Sequence, residues 1–162
     1  MLCAKPTDAD MNEIFRQHVE QLHGKYEALV QMKPVTLDSL PKQMPASGIY
    51  LFSEGDFHLY VGRSKRLRDR LRYHCGSAKD APFAFELARE QTGNVKATYI
   101  PKGSRNQLLA DDGFRTAFQA AKDRIRKMAI RFVDEPDPNG QALLEIYVTI
   151  SLAAPYNDFD TH

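Results

Sequence analysis

A chain of 162 residues, 43% hydrophobic and 27% charged, fits one domain with room for a small terminal extension and is too apolar to be disordered by composition. Its longest apolar run, Ile146 to Pro155, is broken by Thr149 and Ser151 and reaches only about half of the roughly 20 residues a spanning helix needs, so a membrane protein is excluded. Two cysteines, Cys3 and Cys75, are too few for a disulfide framework or a structural zinc site, and no basic-then-apolar leader opens the chain, so a reducing, cytoplasmic setting is expected.

In chain order, the first expected element is a helix from about Asp8 to Met32. Phe15, Val19, Leu22, Tyr26 and Leu29 alternate four and three apart, a narrow apolar stripe that packs either on the rest of the chain or on a second copy of itself. Lys33-Pro34 ends it, and Pro41 and Pro45 mark a linker. The apolar period then shortens. Ile49 to Phe52 and Phe57 to Val61 read as two strands joined through Glu54-Gly55, a β-hairpin closed by Gly62. A helix from about Lys65 to His74 follows, then one from about Ala81 to Gln91, then a short strand near Val95 to Ile100. A long helix carries Phe114, Phe118, Ala121, Ile125 and Met128, Ala129 to Val133 reads as a last strand, and Asp137-Pro138-Asn139-Gly140 forms a turn before an apolar helix from Gln141 to Ala153. The reading is a small α+β domain with a long N-terminal helix, divided as 1–45 for the helical extension and linker and 46–162 for the domain itself.

The net charge of +1 hides two basic stripes. Arg63, Lys65, Arg66, Arg68, Arg70 and Arg72 are opposed only by Asp69, and Lys122, Arg124, Arg126, Lys127 and Arg131 form a second cluster. Such stripes suit local contact with phosphate, or are simply solvated helix faces. On the helix after the hairpin, Leu67 and Leu71 define the buried stripe. Arg66, Arg70 and His74, spaced four apart, run beside it, while Arg68 and Arg72 point away toward solvent or a polyanion. In the last helix, Leu143, Leu144, Ile146, Tyr147, Val148, Ile150 and Leu152 cover most of the circumference, leaving Glu145 and Thr149 in a narrow wedge. That wedge is either a solvent-facing strip or a carboxylate aimed into a cleft, where it needs a cation or donor as partner. Tyr50 and Tyr60, one in each hairpin strand, are by themselves ordinary sheet aromatics.

Taken together these residues carry a resemblance. Gly48-Ile49-Tyr50, then Tyr60-Val61-Gly62, Arg70 ten residues after the second tyrosine, His74 four later, and a distant Glu145 and Asn157 occur in the order that resembles the GIY-YIG nuclease superfamily, over about Gly48 to Asn157. Val61 departs from the name-giving isoleucine, a volume-conserving change, and the stretch from Cys75 to Arg105 matches no motif of the family. The resemblance implies a central three-stranded antiparallel β-sheet flanked by helices, to which the N-terminal helix is an addition. It also implies a metal-dependent endonuclease that hydrolyses phosphodiester bonds in DNA. Tyr50 and Tyr60 are then the phenols of the site, with Tyr50 favoured as general base, and Arg70 stabilises the transition state. His74 carries away a proton, Glu145 is the metal ligand, and Asn157 positions Glu145 or a nearby backbone group.

The implied cofactor is Mg²⁺, with Mn²⁺ able to substitute. Arg63, Arg66, Arg68 and Arg72 are the expected nucleic-acid contacts. Target choice is left to the Cys75 to Arg105 stretch, to the basic helix from Lys122 to Arg131, or to a partner protein, and a homodimer through the N-terminal helix is allowed. The alternative is a non-catalytic nucleic-acid-binding or scaffold module of the same fold.

Overall fold

The computed structural model describes residues 11–94 and 104–159. Among these lie six α-helices and a three-stranded antiparallel sheet. They run α1 (Glu13–Gln31), β1 (Gly48–Glu54), β2 (Phe57–Ser64), α2 (Leu67–Tyr73), α3 (Pro82–Thr92), α4 (Arg105–Ala110), α5 (Asp112–Lys127), β3 (Ala129–Asp134) and α6 (Pro138–Leu152), with a 3-10 turn at Leu37–Ser39. The expected strand near Val95 to Ile100 lies outside the described residues, as does Cys3.

The strand order β2-β1-β3 puts β1 in the middle, and helices cover both of its faces. Side chains alternate along a strand, so successive β1 residues join different cores. Tyr50 and Phe52 point toward α2, α3 and α5, where they meet Leu67, Leu71, Phe83, Phe85, Phe114 and Ile125. Ile49 and Leu51 point the other way, into a smaller core with Val61, Leu144 and Val148 and with Leu22 and Leu29 of α1. The N-terminal stripe therefore packs on its own chain. Only its C-terminal half is covered: Leu29 is fully buried, while Ile14 and Phe15 remain exposed.

Both outer strands are shielded along their free edges. Beside β3, Val35 exchanges backbone hydrogen bonds with Ile130, and the Arg131 guanidinium donates to the Met32 carbonyl at 2.9 Å. Beside β2, the Tyr156 amide donates to the Leu59 carbonyl. The Asn157 side chain takes both polar groups of Val61, accepting from its amide and donating to its carbonyl at 2.7 Å each. An amide side chain here makes, at Val61, the bonds that a fourth strand would have made.

Local sequence sets the element boundaries. Asp111 ends α4 and caps α5, accepting from the Phe114 amide at 2.8 Å, so a short helix precedes the long one expected from periodicity. Asp137 caps α6 by accepting from the Gly140 amide at 2.7 Å with Pro138 in the first turn, so the expected turn is the helix's opening. At the sheet's start, Gly48 has φ +151°, and a Cβ there would stand 1.9 Å from the Val133 carbonyl oxygen.

Two glycine substitutions follow with opposite signs. Gly48→Ala forces β1 and β3 apart and is expected to cost more than about 2 kcal/mol by urea denaturation. Gly24→Ala, in α1 with nothing near its Cβ position, is expected to stabilise by about 0.5–1 kcal/mol. Equal effects at the two positions would contradict the strand register.

Candidate active site

The hairpin, α2 and α6 bring the candidate residues to one region. Tyr50 pairs with Gly62 across the β1–β2 ladder, and its ring lies over that glycine: a Cβ on Gly62 would stand 2.2 Å from the phenol's Cζ and hydroxyl oxygen. Glycine in the second motif is thus the space that the first tyrosine occupies. The Tyr50 hydroxyl lies 2.7 Å from His74 Nε2 and accepts from Arg70 Nε at 3.3 Å. The Arg70 guanidinium also stands over the Tyr73 ring, 4.9 Å from its centroid. Leu67 and Leu71 anchor α2, and the polar stripe beside them runs from exposed Arg66 through half-exposed Arg70 to fully buried His74.

Burial governs the protonation states here. It pushes the Tyr50 hydroxyl well above its ordinary range, and the neighbouring Tyr60 adds to this; the Arg70 charge opposes both and does not prevail. Burial, with Arg70 second, holds His74 down to about 3, so the imidazole is neutral at physiological pH. Its Nδ1 has no hydrogen-bond partner among the described residues. Tyr50 and His74 are both fully buried, whereas Tyr60 is only partly covered, stacked on Phe83 with ring centroids 4.6 Å apart. Tyr60 is also raised by burial, with Arg70 opposing.

Glu145 arrives from the opposite face of the sheet. Its Oε2 accepts from Arg63 Nε at 2.9 Å, and its charge acts on Tyr50 and Tyr60 and is felt by Arg70 in turn. The side chain is 19% exposed, and burial raises its carboxyl above the usual range despite Arg63. The two readings of the polar wedge on α6 are thereby separated. The helix presents Ile150, 72% exposed, and Ile146, 43% exposed, to solvent, and turns Glu145 and Thr149 inward. The same rotation buries Leu144 and Val148 in the core, with Glu145 at the edge of that face.

The metal-ligand expectation can be tested on the donor set. Among the described residues no group of three or more histidine, cysteine or acidic side chains comes together. Glu145 offers one carboxylate whose Oε2 is taken by Arg63 and whose Oε1 makes no hydrogen bond among the described residues. A single hard oxygen donor fits Mg²⁺ or Mn²⁺ keeping most of its water shell, and does not fit a fully caged ion such as structural zinc.

Several expected contacts are corrected. Arg68 does not point to solvent: its guanidinium donates to the Pro41 and Lys42 carbonyls, the latter at 3.0 Å, and fastens the linker to α2. Of the two roles open to Asn157, the structure shows the backbone one: its side chain bonds both polar groups of Val61 and not Glu145. The basic helix is largely consumed internally. Lys122 donates to the Gly76 and Ala78 carbonyls at 2.7 and 2.5 Å, Arg124 grips Glu54 with two hydrogen bonds, and Arg126 meets Asp38. Of the remaining expected contacts, Arg63 is held by Glu145 and Arg66 by Asp69 at 2.5 Å, while Arg72 is exposed. The structure brings His74 to the Tyr50 phenol, the contact a proton carrier needs; residue type did not show that Gly62, paired with Tyr50, makes the room for that ring.

Comparison with protein-family models, with curated proteins and with solved structures finds no match to this chain.

The buried imidazole sets a pH dependence. Its folded pKa lies below the ordinary 6.5, so below that pH the unfolded chain takes up a proton that the folded one refuses. This contribution to stability is complete above about 6.5 and is lost as pH falls toward about 3. Melting temperatures measured from neutral to acidic pH should fall more steeply for the wild type than for His74→Gln. Parallel curves would contradict a neutral, buried His74.

Proposed function

We propose that the chain is a metal-dependent endonuclease hydrolysing phosphodiester bonds in DNA, with the GIY-YIG type of site its motifs resemble. The observation that carries this reading is the rotation of α6. The face of α6 that packs Leu144 and Val148 into the core also carries a largely buried carboxylate, bonded to Arg63 and acting on Arg70, Tyr50 and Tyr60, while Ile146 and Ile150 face water. Clusters of titratable groups whose environments shift them against their ordinary values are characteristic of reactive sites.

In this reading Glu145 holds a divalent cation through the oxygen that Arg63 leaves free. When bound, that cation supplies Lewis-acid stabilisation of the departing oxygen. Arg70, already oriented by Tyr50 and Tyr73, neutralises charge on the non-bridging phosphate oxygens, where it grows in the transition state. Tyr60 is the phenol with solvent access, and Tyr50 is closed off between Arg70 and His74. This favours Tyr60 for contact with the attacking water. Tyr50 then acts as the buried group that fixes Arg70 and links the site to His74. Asn157 holds β2, and with it Tyr60 and Arg63, by its bonds to Val61.

Mg²⁺-dependent cleavage of supercoiled plasmid tests this. Glu145→Ala and Arg70→Ala should each lower the rate by orders of magnitude with melting temperature little changed. Tyr60→Phe should cost at least as much as Tyr50→Phe; the reverse order would return the base to Tyr50. Undiminished metal-dependent cleavage by Glu145→Ala would refute the proposal. Nucleic-acid binding without cleavage by the wild type would mark a binding module.

A further inference from the structure

Two adjoining hollows run along α2. One, of about 350 Å³, is lined by Ser64, Arg66, Asp69, Arg70 and Tyr73, and so opens beside the guanidinium assigned to the scissile phosphate. The other, of about 250 Å³, shares Arg66 and Asp69 with the first and continues to Lys42, Lys65 and Arg68. Four cations and one carboxylate thus surround the second hollow, and that carboxylate is already engaged by Arg66. Arg68 is spent on the linker carbonyls, one of them that of Lys42 itself, so its role is to hold the linker against α2. A backbone bond from the Leu67 amide to the Ala46 carbonyl, at 2.8 Å, adds to that hold. Lys42 and Lys65 are left exposed, their ammonium groups making no hydrogen bond or ion pair among the described residues. Their charges converge from two separate segments of chain on a trough that leads to Arg70.

We infer that Lys42 and Lys65 form a second phosphate subsite, which grips the nucleic-acid backbone next to the cleaved bond. The inference rests on the nuclease reading and deepens it: the pre-hairpin linker becomes part of the substrate track, and Arg68 the residue that positions it. Ammonium groups suit this task, because a backbone phosphate recurring at many sequences needs a charge and not a geometry.

The test is binding of a short fluorescent DNA duplex, in EDTA to prevent cutting, by the wild type and by a Lys42→Gln, Lys65→Gln double variant. Each lost phosphate contact should flatten the dependence of log affinity on log salt by about one, so the variant's slope should be shallower by about two. Between about 50 and about 200 mM salt the variant should then lose roughly fifteenfold less affinity than the wild type does. If the wild type binds and cuts while the variant gives the same slope and affinity, the subsite is overturned and the nuclease stands. A wild type that neither binds nor cuts DNA overturns both.

Discussion

A phenol buried over a glycine organises this protein. Tyr50 lies inside the larger core, where its ring has room only because Gly62 opposite it has no side chain, and its hydroxyl must find partners there or be left unsatisfied at a cost of about 1–3 kcal/mol. Arg70 and His74 supply them. This requirement fixes the rotation of α2, since the helix must bring positions four apart to the same hydroxyl while Leu67 and Leu71 stay buried. It also fixes what α2 shows to solvent: Arg66 and Arg72 outward, Arg68 sideways onto the linker.

A second constraint comes through the other face of the sheet. Arg63 is next to Gly62 in β2 and so points away from Tyr50, toward α6, where it meets Glu145. The two faces of one strand thereby deliver the phenols and the carboxylate to a common region, and the C-terminal segment, bonded along the outside of β2, keeps that strand in place. The side of α6 that buries Leu144 and Val148 holds Glu145 at its edge, while Ile146 and Ile150 are exposed.

The local code was readable where period and punctuation agree. The hairpin, the stripe on α1, the stripe on α2 and the apolar last helix all follow from spacing and from glycine or proline at their ends, and the six residues proposed for the site keep to that framework. What spacing does not carry is which long-range partner an exposed-looking residue finds. Arg68, Lys122, Arg124 and Arg126 read as free charge along a helix, yet their partners are loop carbonyls and acids distant in sequence. The short α4 before Asp111 carries too few apolar positions to show a period of its own, and a single side chain, Asp111, parts it from α5. The direction of the α6 wedge was open for a similar reason: a helix apolar nearly all round has no face that periodicity can call inner.

The contact between Tyr50, Arg70 and His74 is the claim on which this account turns, and ¹⁵N NMR of the His74 imidazole tests it most directly. The account predicts ring nitrogen shifts of a neutral imidazole, unchanged from mildly alkaline to mildly acidic solution, with a scalar or exchange signature of its bond to the Tyr50 hydroxyl that disappears in Tyr50→Phe. An imidazole that titrates near 6.5 like a free histidine would contradict it.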